Sequence, residues 1–308
     1  MSSLRTSLLL YNLALPLGLL AMAPGAWKKM RARGADPAHL RQRLGVYPTN
    51  VRTRIASVTT HSERLWMHAV SVGEVNVGLK LLQLWLQQHP HGAAILSVTT
   101  PTAHDIATRF AERHPQRLAV IYSPFDAPPI VRRVLDDTRP THIVLVEAEI
   151  WPNFVTEAHR RRIPITLVNA RLSDRSARRF AKAARLIRPI FSQLSQVLVQ
   201  EPEDAARWHP LGVPPDRVHT CGSIKFDPEG AAPDPEKIAQ LGTLLQNTGI
   251  TPEQPRLLAA STHAGEELAL ARLLAQLKTQ PRWKDLRLLL VPRHVERTPA
   301  LLDELAPL

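Results

Sequence analysis

The chain has 308 residues, enough for two domains with separate cores, and its composition (44% hydrophobic, 21% charged) excludes a collagen-like, a wholly disordered or a polytopic membrane protein. Lys and Arg number 39 against 27 Asp and Glu, so the net charge of +12 attracts polyanions such as nucleic acid, anionic lipid or phosphorylated substrates. The single cysteine, Cys221, excludes a disulfide framework within the chain and a zinc site built on cysteines, and it indicates a reducing compartment.

The N-terminus carries the only long apolar run of the sequence, residues 7–27. The run is short for a membrane span of about 20 apolar residues, and Pro16 interrupts it. One cation precedes the run and four follow it: Arg5, then Lys28, Lys29, Arg31 and Arg33. These flanks favour a membrane anchor or interfacial helix over 1–27 with the remainder in the cytoplasm. A cleaved signal peptide and a buried core helix are the alternatives.

After a basic connector (28–60), short apolar runs rich in β-branched residues alternate with segments of helical periodicity. Such alternation is typical of βαβ units and predicts a parallel sheet in an α/β domain over 28–226. Strands are predicted at 66–70, 93–98, 118–122, 142–147, 165–169, 196–200 and 217–221. Helices are predicted at 75–88, 103–113, 128–137, 154–161 and 173–193, with one more between the last two strands.

A Pro-, Gly- and Asp-rich segment, 227–235, predicts a linker, after which the pattern restarts. The second part, 236–308, has predicted helices at 237–246 and 266–277 and predicted strands at 256–260 and 286–291. Two strands are fewer than a doubly wound domain needs, so this part is interpreted as an incomplete second domain.

Acidic residues follow two of the predicted strands, where ligands bind in open α/β sheets. Glu74 begins a helix directly after strand 66–70 and is a candidate general base; the alternative is a carboxylate that only complements the helix dipole. Glu147 and Glu149 end strand 142–147, and on an extended strand they would share one face. The alternative there is a solvated turn in which Asn153 caps the next helix.

Basic residues mark two further places. The predicted helix 173–193, which Ser173 can cap, is rich in cations suited to lipid phosphates, although a solvated helix face would look the same: Arg175, Arg178, Arg179, Lys182, Arg185 and Arg188. Lys225 precedes the linker, where a lysine can reach a phosphate or a developing negative charge; the alternative is a surface lysine.

In the second part, Ser261, Thr262 and His263 form a hydroxyl-rich turn between a strand and a helix, which is a ready anion site. Pro292 and Arg293 follow the next strand, and the guanidinium can hold a phosphate bidentately. The sequence contains no dinucleotide-binding G-x-G-x-x-G, no phosphate loop and no G-x-S-x-G of serine hydrolases. It also has no histidine-rich zinc motif, so no metal is expected. It has no recognised nucleic-acid-binding motif either, so no nucleic-acid partner is expected.

Six segments, in order, resemble the motifs of the 3-deoxy-D-manno-octulosonic acid (Kdo) transferase family: HAVSVGEV, VEAEIWPN, NARLSDRSAR, GSIKFD, ASTHAGEE and VPRHVER. The resemblance implies two Rossmann-like domains of the GT-B type. It also implies transfer of Kdo from CMP-Kdo to a lipid A precursor in lipopolysaccharide synthesis, with inversion and without a cofactor, at the cytoplasmic face of the inner membrane with its anionic lipids.

The resemblance also assigns roles. Glu74 is the implied proton acceptor, Glu147 and Lys225 are the implied stabilisers of the transition state, and Pro292–Arg293 is the implied CMP-binding pair. Two departures stand out: Ala148 replaces the usual Thr between the glutamates, and the glycine-rich motifs that complete the donor site in the family have no counterpart, since the sequence has no Gly-Gly pair. We therefore expect a C-terminally truncated member, and a catalytically inactive relic that binds the lipid A precursor is the alternative.

Overall fold

The structure is a computed structural model, and it describes residues 4–18, 37–226, 235–251 and 253–306. The chain divides into two compact units, Met1–Pro228 (unit 1) and Glu229–Leu308 (unit 2). Residues 227–234 of the predicted linker lie outside the described residues, as do residues 19–36.

Unit 1 alternates strands and helices along most of its length. Its helices are α1 (4–18), α2 (Pro37–Arg43), α3 (Thr49–Thr59), α4 (Val72–Gln88), α5 (Pro101–Ala111), α6 (Pro128–Thr138), α7 (Pro152–Arg160), α8 (Asp174–Lys182), α9 (Ala184–Phe191) and α10 (Pro202–Trp208). Its strands are β1 (Arg64–Ala69), β2 (Ala93–Val98), β3 (Leu118–Tyr122), β4 (His142–Val146), β5 (Ile165–Ala170), β6 (Gln196–Val199) and β7 (Val218–Thr220). Short 3-10 turns lie at His209–Leu211, Pro215–Arg217 and Ile224–Phe226.

The seven strands of unit 1 form one parallel sheet in the order β3-β2-β1-β4-β5-β6-β7. Successive strand residues point to opposite faces, and each face has its own apolar cluster. On β1, for example, Trp66 packs in one cluster and Met67 in the other. The strands therefore read as continuous apolar runs, as expected for a sheet covered on both faces. The predicted parallel α/β architecture is confirmed.

Two sequence predictions in unit 1 are wrong. The single helix predicted over 173–193 is two helices, because the backbone leaves helical values at Ala183 (φ −102°, ψ 16°). This break lets α9 bury Ile190 and Phe191 while α8 buries no side chain. The described part of the predicted connector, 37–60, folds into α2 and α3, and α3 packs Ile55 and Val58 into the core.

Helix α1 has two unlike faces. Ser7 is buried on one side and Leu4 packs against the core, whereas Leu9, Leu13 and Leu17 are 60–69% exposed. In the part of the chain that the structure describes, no helix has the length and apolarity needed to cross a bilayer. The anchor over 1–27, of which residues 19–27 lie outside the described residues, stays a prediction.

Unit 2 contains α11 (Pro235–Asn247), β8 (Arg256–Thr262), α12 (Glu266–Lys278), β9 (Arg287–Pro292) and α13 (Thr298–Leu305). It also has 3-10 turns at Pro281–Trp283 and Val295–Arg297. Its two strands pair in parallel, as predicted from the alternation of elements. Among its described residues, the buried hydrophobic side chains are Leu286 and Leu301, and several other apolar residues are exposed.

Candidate active site

The candidate site of unit 1 lies where the order of the strands reverses. Strands β1 to β3 extend to one side of the sheet and β4 to β7 extend to the other, so β1 and β4 are neighbours at a topological switch point. Ligands bind outside the carboxyl ends of the strands at such a point. The β1–α4 turn carries Glu74, and the β4–α7 loop carries Glu147 and Glu149. Two sequence motifs far apart in the chain therefore meet at one edge of the sheet.

Glu74 completes a capping box at the start of α4. Its backbone N–H donates to Ser71 Oγ (3.3 Å), and its Oε1 accepts from the Ser71 N–H (3.3 Å) and the Ser71 hydroxyl (2.8 Å). Its Oε2 accepts from the Val70 N–H (2.9 Å). The side chain is 8% exposed, so these hydrogen bonds fix its position.

The capping contacts leave Glu74 one acceptor position. A carboxylate offers about four lone-pair sites, and the three hydrogen bonds to Val70 and Ser71 occupy two on Oε1 and one on Oε2. The remaining site on Oε2 can accept a proton from a hydroxyl. The two sequence interpretations of Glu74, helix cap and proton acceptor, are therefore compatible in one side chain.

Glu147 is not part of an extended strand. Strand β4 ends at Val146, and Glu147 takes a left-handed conformation with φ 65°. The expectation that Glu147 and Glu149 share a strand face is therefore wrong, because the alternation of faces stops with the strand. The turn aims Glu147 at Lys225, whose Nζ lies 3.3 Å from Oε1. Lys225 itself sits in the 3-10 turn after β7.

Glu149 lies toward Glu74 instead. Burial raises the pKa of the Glu149 carboxyl above its usual value, and the negative charge of Glu74 raises it further. A hydrogen bond with Trp151 lowers this pKa, and the charge of Glu147 raises it, more weakly than the charge of Glu74 does. The site thus gathers three carboxylates and one ammonium group, which is an arrangement for moving a proton and for balancing charge.

Asp126 supports the end of the β4–α7 loop, and sequence reasoning missed it. Its carboxylate accepts from the backbone N–H groups of Asn153 (2.9 Å) and Phe154 (2.8 Å) at the start of α7. The alternative in which Asn153 caps α7 is wrong: Trp151 occupies the N-cap position without a side-chain cap. Burial raises the pKa of Asp126 to about 6, although both N–H groups act against the rise. The signal in the sequence was one acidic residue between an apolar strand and Pro128.

His68 lies beneath the same loop. Its Nδ1 is 3.2 Å from the Ser97 carbonyl oxygen, and burial lowers its pKa to about 4. His68, Asp126 and Trp151 line one small cavity of about 10 Å³. The imidazole is therefore neutral at pH 7, and its Nε2 has no partner among the described residues.

Asn169, the last residue but one of β5, lies at the same edge in a left-handed conformation with φ 52°. The Ser223 hydroxyl donates to its Oδ1 (3.4 Å), which joins the β5 end to the segment that carries Lys225. Ser173 caps α8 as predicted, by accepting from the Ser176 N–H (3.3 Å). The cations of α8 point away from the core and are exposed: Arg175, Arg178, Arg179 and Lys182.

In unit 2, the predicted anion-site residues lie at the carboxyl ends of β8 and β9. Ser261 (φ 62°) and His263 are exposed, whereas Thr262 is buried and its hydroxyl donates to Glu267 Oε1 (3.0 Å). The Arg293 N–H donates to the Thr262 carbonyl oxygen (3.0 Å), and the Arg293 side chain is exposed. Thr262 therefore holds the turn, while Ser261, His263 and Arg293 face solvent.

One more ion pair stiffens this part of unit 2. The Arg297 guanidinium donates to both oxygens of the buried Glu267 carboxylate, at 3.2 and 3.5 Å. Pro292, the partner of Arg293 in the predicted CMP-binding pair, ends β9 opposite Thr262. The structure thus places Thr262, His263, Pro292 and Arg293 on adjoining strand ends.

Residues 38–228 match the family described as 3-deoxy-D-manno-octulosonic-acid transferase (kdotransferase), a range that includes Glu74, Glu147 and Lys225. The 3-deoxy-D-manno-octulosonic acid transferase of Haemophilus influenzae is 34% identical over 240 residues, covering 78% of this chain and 54% of that protein. The enzyme of the same name from Rickettsia felis is 28% identical over 78% of this chain and 48% of its own length. The chain spans about half the length of the curated relatives it matches.

Two solved structures share the fold. The UDP-GlcNAc 2-epimerase of Neisseria meningitidis bound to UDP-GlcNAc has a TM-score of 0.55 at 14% identity, with 80% of this chain and 70% of that chain covered. The S. aureus MnaA–UDP structure has a TM-score of 0.51 at 12% identity, with 79% and 65% covered. This likeness concerns the fold alone and agrees with a GT-B-like α/β architecture. With residues 38–228 matched, the chain belongs to the 3-deoxy-D-manno-octulosonic-acid transferase (kdotransferase) family.

Proposed function

We propose that this protein is a glycosyltransferase that transfers Kdo from CMP-Kdo to a hydroxyl group of a lipid A precursor, with inversion at the anomeric carbon. The observation that carries the proposal is the group of Glu74, Glu147 and Lys225 at the switch point of a parallel sheet. Membership of the family supplies the sugar and the reaction class. The nucleotide, the acceptor and the residue roles are the proposal's own.

Glu74 is the proposed general base. As the acceptor oxygen bonds to the anomeric carbon, its proton passes to the free lone pair of Glu74 Oε2. The bond between that carbon and the CMP phosphate oxygen breaks, and the electron pair leaves with CMP. Lys225, held 3.3 Å from Glu147, supplies positive charge for the groups that become more negative in the transition state.

The donor is assigned to the residues of unit 2. Arg293 and the exposed turn residues Ser261 and His263 are placed to bind the phosphate of CMP, and Pro292 fixes the backbone beside them. Thr262 and Glu267 hold the turn through their hydrogen bond. A phosphate leaving group carries its own charge stabilisation, so we propose that transfer proceeds without a metal ion.

We place the protein at the cytoplasmic face of the inner membrane. The exposed leucines of α1 and the exposed cations of α8 suit an apolar phase and lipid phosphates, respectively. The same cations suit the phosphates of the acceptor lipid. No role for nucleic acid is proposed.

The test is a transfer assay with the 308-residue chain in detergent, CMP-Kdo and a tetra-acylated lipid A precursor, read by the mass of the lipid. We expect a mass increase of one or more Kdo units, also in the presence of EDTA. Glu147→Gln should slow transfer, whereas Glu63→Gln, a half-exposed carboxylate before β1, should leave the rate unchanged. Precursor binding without any mass increase would contradict the proposal and favour a catalytically inactive lipid-binding protein.

A further inference from the structure

The β4–α7 loop, residues 147–151, is held at its far end by a tertiary contact rather than by its own helix. Helix α7 begins at Pro152 without a side-chain cap, and the Asp126 carboxylate from the β3–α6 connection takes two of its free N–H groups. An uncapped helix start frays more easily, because the first N–H groups have no partner within the helix. The position of the loop therefore depends on whatever holds Asp126 and Asn153 in place.

Helix α1 holds Asn153 directly, and Asp126 through it. The side chains of Asn12 and Asn153 form a reciprocal amide pair: Asn153 Nδ2 donates to Asn12 Oδ1 (2.7 Å) and Asn12 Nδ2 donates to Asn153 Oδ1 (3.3 Å). Asn153 Nδ2 also donates to the Asp126 carbonyl oxygen. Tyr11, on the same side of α1, lies beside Asp126, since burial and then the Asp126 charge raise the pKa of its hydroxyl.

The docked and exposed faces of α1 are distinct. Ser7, Tyr11 and Asn12 follow helical spacing on the side that faces α7, and Leu9, Leu13 and Leu17 repeat every four residues on the other side. A helix that served only as an apolar anchor would not need a partly buried amide pair with the first turn of α7. Asn153 is 4% exposed, so removing Asn12 leaves its buried Oδ1 without this donor, which destabilises the start of α7.

We infer that α1 is a structural part of the active site, and that Asn12 is a positioning residue that keeps the β4–α7 loop in its catalytic geometry through Asn153. Asn12 acts on Glu147 and Glu149 only through the start of α7. The kinetic part of this inference rests on the proposed function, whereas the loop-positioning part does not.

The experiment measures amide hydrogen exchange and transfer kinetics of the full chain for four variants. Asn12→Ala should speed exchange in a peptide spanning 147–156 by about tenfold or more, and so should Asn153→Ala. The double variant should exchange no faster in this peptide than the faster single variant. The matched control Leu13→Ser alters the exposed face of α1 and should leave exchange in this peptide unchanged. Exchange in β1 and β2 should be unchanged in all four variants.

For transfer, Asn12→Ala should lower kcat with little change in the KM for the acceptor, since it displaces the loop and touches no substrate. Unchanged exchange in 147–156 would overturn the inference, and so would faster exchange with kcat retained. If no variant and no wild-type chain transferred Kdo, the proposed function would fail, while the exchange result would still decide whether α1 holds the loop.

Discussion

At the scale of single residues, the site is marked by backbone conformations that a non-glycine residue adopts at a cost. Glu147 (φ 65°) follows β4, and Asn169 (φ 52°) is the last residue but one of β5, both at the carboxyl edge of the unit 1 sheet. A left-handed conformation costs a non-glycine residue about 1–2 kcal/mol, so the neighbouring structure has to hold it. The Glu147 N–H donates to the Val168 carbonyl oxygen (2.9 Å), and Lys225 holds its carboxylate. This conformation has no signature in the motif, which is why sequence reasoning expected an extended strand.

His68 makes the stability of the protein depend on pH. Its pKa is about 4 in the folded state against 6.5 as a free side chain, so unfolding takes up a proton between these values. The contribution of His68 is therefore fully present above pH 6.5 and is lost as the pH falls toward 4. The pKa of Asp126 is raised to about 6, so unfolding releases a proton from Asp126 between about pH 4 and pH 6. Its contribution to the free energy of unfolding therefore decreases as the pH rises through this range.

The two contributions are separated by a variant. The free energy of unfolding should decrease from pH 7 to pH 4 in both proteins, and we expect the decrease to be about 2–3 kcal/mol smaller in His68→Gln than in the wild type. Denaturant unfolding at both pH values measures this difference, and the His68 resonance should not titrate above pH 5. Parallel stability profiles for the two proteins would contradict the assignment.

At the scale of elements, the strands were the most predictable part of the fold. A buried parallel strand must be apolar on both faces, so runs such as residues 93–98 and 118–122 coincide with β2 and β3. Helices α2 and α3 were missed because their apolar positions are sparse among arginines and prolines. The break at Ala183 carries no glycine or proline of its own. It accompanies a difference in packing, since α9 buries Ile190 and Phe191 while α8 only partly buries Phe180.

Helix α8 offers a direct test of lipid binding. Its exposed cations Arg175, Arg178 and Arg179 should each add about 1 kcal/mol to binding at an anionic surface. Changing all three to Gln should weaken binding to anionic vesicles by about a hundredfold, most strongly at low salt. The matched control changes three exposed arginines on α3, α5 and α6 to Gln: Arg52, Arg109 and Arg133. Equal losses in a vesicle sedimentation assay would show that net charge alone is sensed.

At the scale of the whole molecule, the two units differ in how much apolar surface they bury. Unit 1 has two core clusters on the two faces of a seven-stranded sheet, whereas the described part of unit 2 has a two-stranded sheet with Leu258 and Val291 more than half exposed. Because buried apolar area supplies most of the folding free energy, the backbone of unit 2 is held less firmly.

The candidate site was predictable at the same scale only in part. The sequence placed Glu74 and Glu147 after strand ends, and a parallel sheet gathers strand ends at one edge. It placed Lys225 only before the linker. The supporting contacts of Asp126, Asn153 and Asn12 join three segments that are far apart in sequence and carry no motif. Such contacts follow from the packing of α1 on unit 1, which no local pattern specifies.

Hydrogen exchange tests the difference between the units. Amides of β8 and β9 should exchange at least about a hundredfold faster than those of β1 and β4, since opening the two-stranded sheet exposes little additional apolar area. The control is the pair β2 and β3 of unit 1, which should match β1 and β4. Equal protection of both sheets would contradict this account of burial.

The most direct measurement compares Glu74→Gln with Ser71→Ala in the Kdo transfer assay. Glutamine keeps the capping box of α4 but accepts no proton, whereas alanine at position 71 removes the cap and keeps the carboxylate. We expect Glu74→Gln to slow transfer by about 10²–10⁴, at a cost of about 1–3 kcal/mol in stability, because its amide nitrogen cannot accept from the Val70 N–H. We expect Ser71→Ala to lose about 1 kcal/mol of stability and to retain most of its rate. Transfer at the wild-type rate by Glu74→Gln would show that Glu74 is a helix cap and not the base.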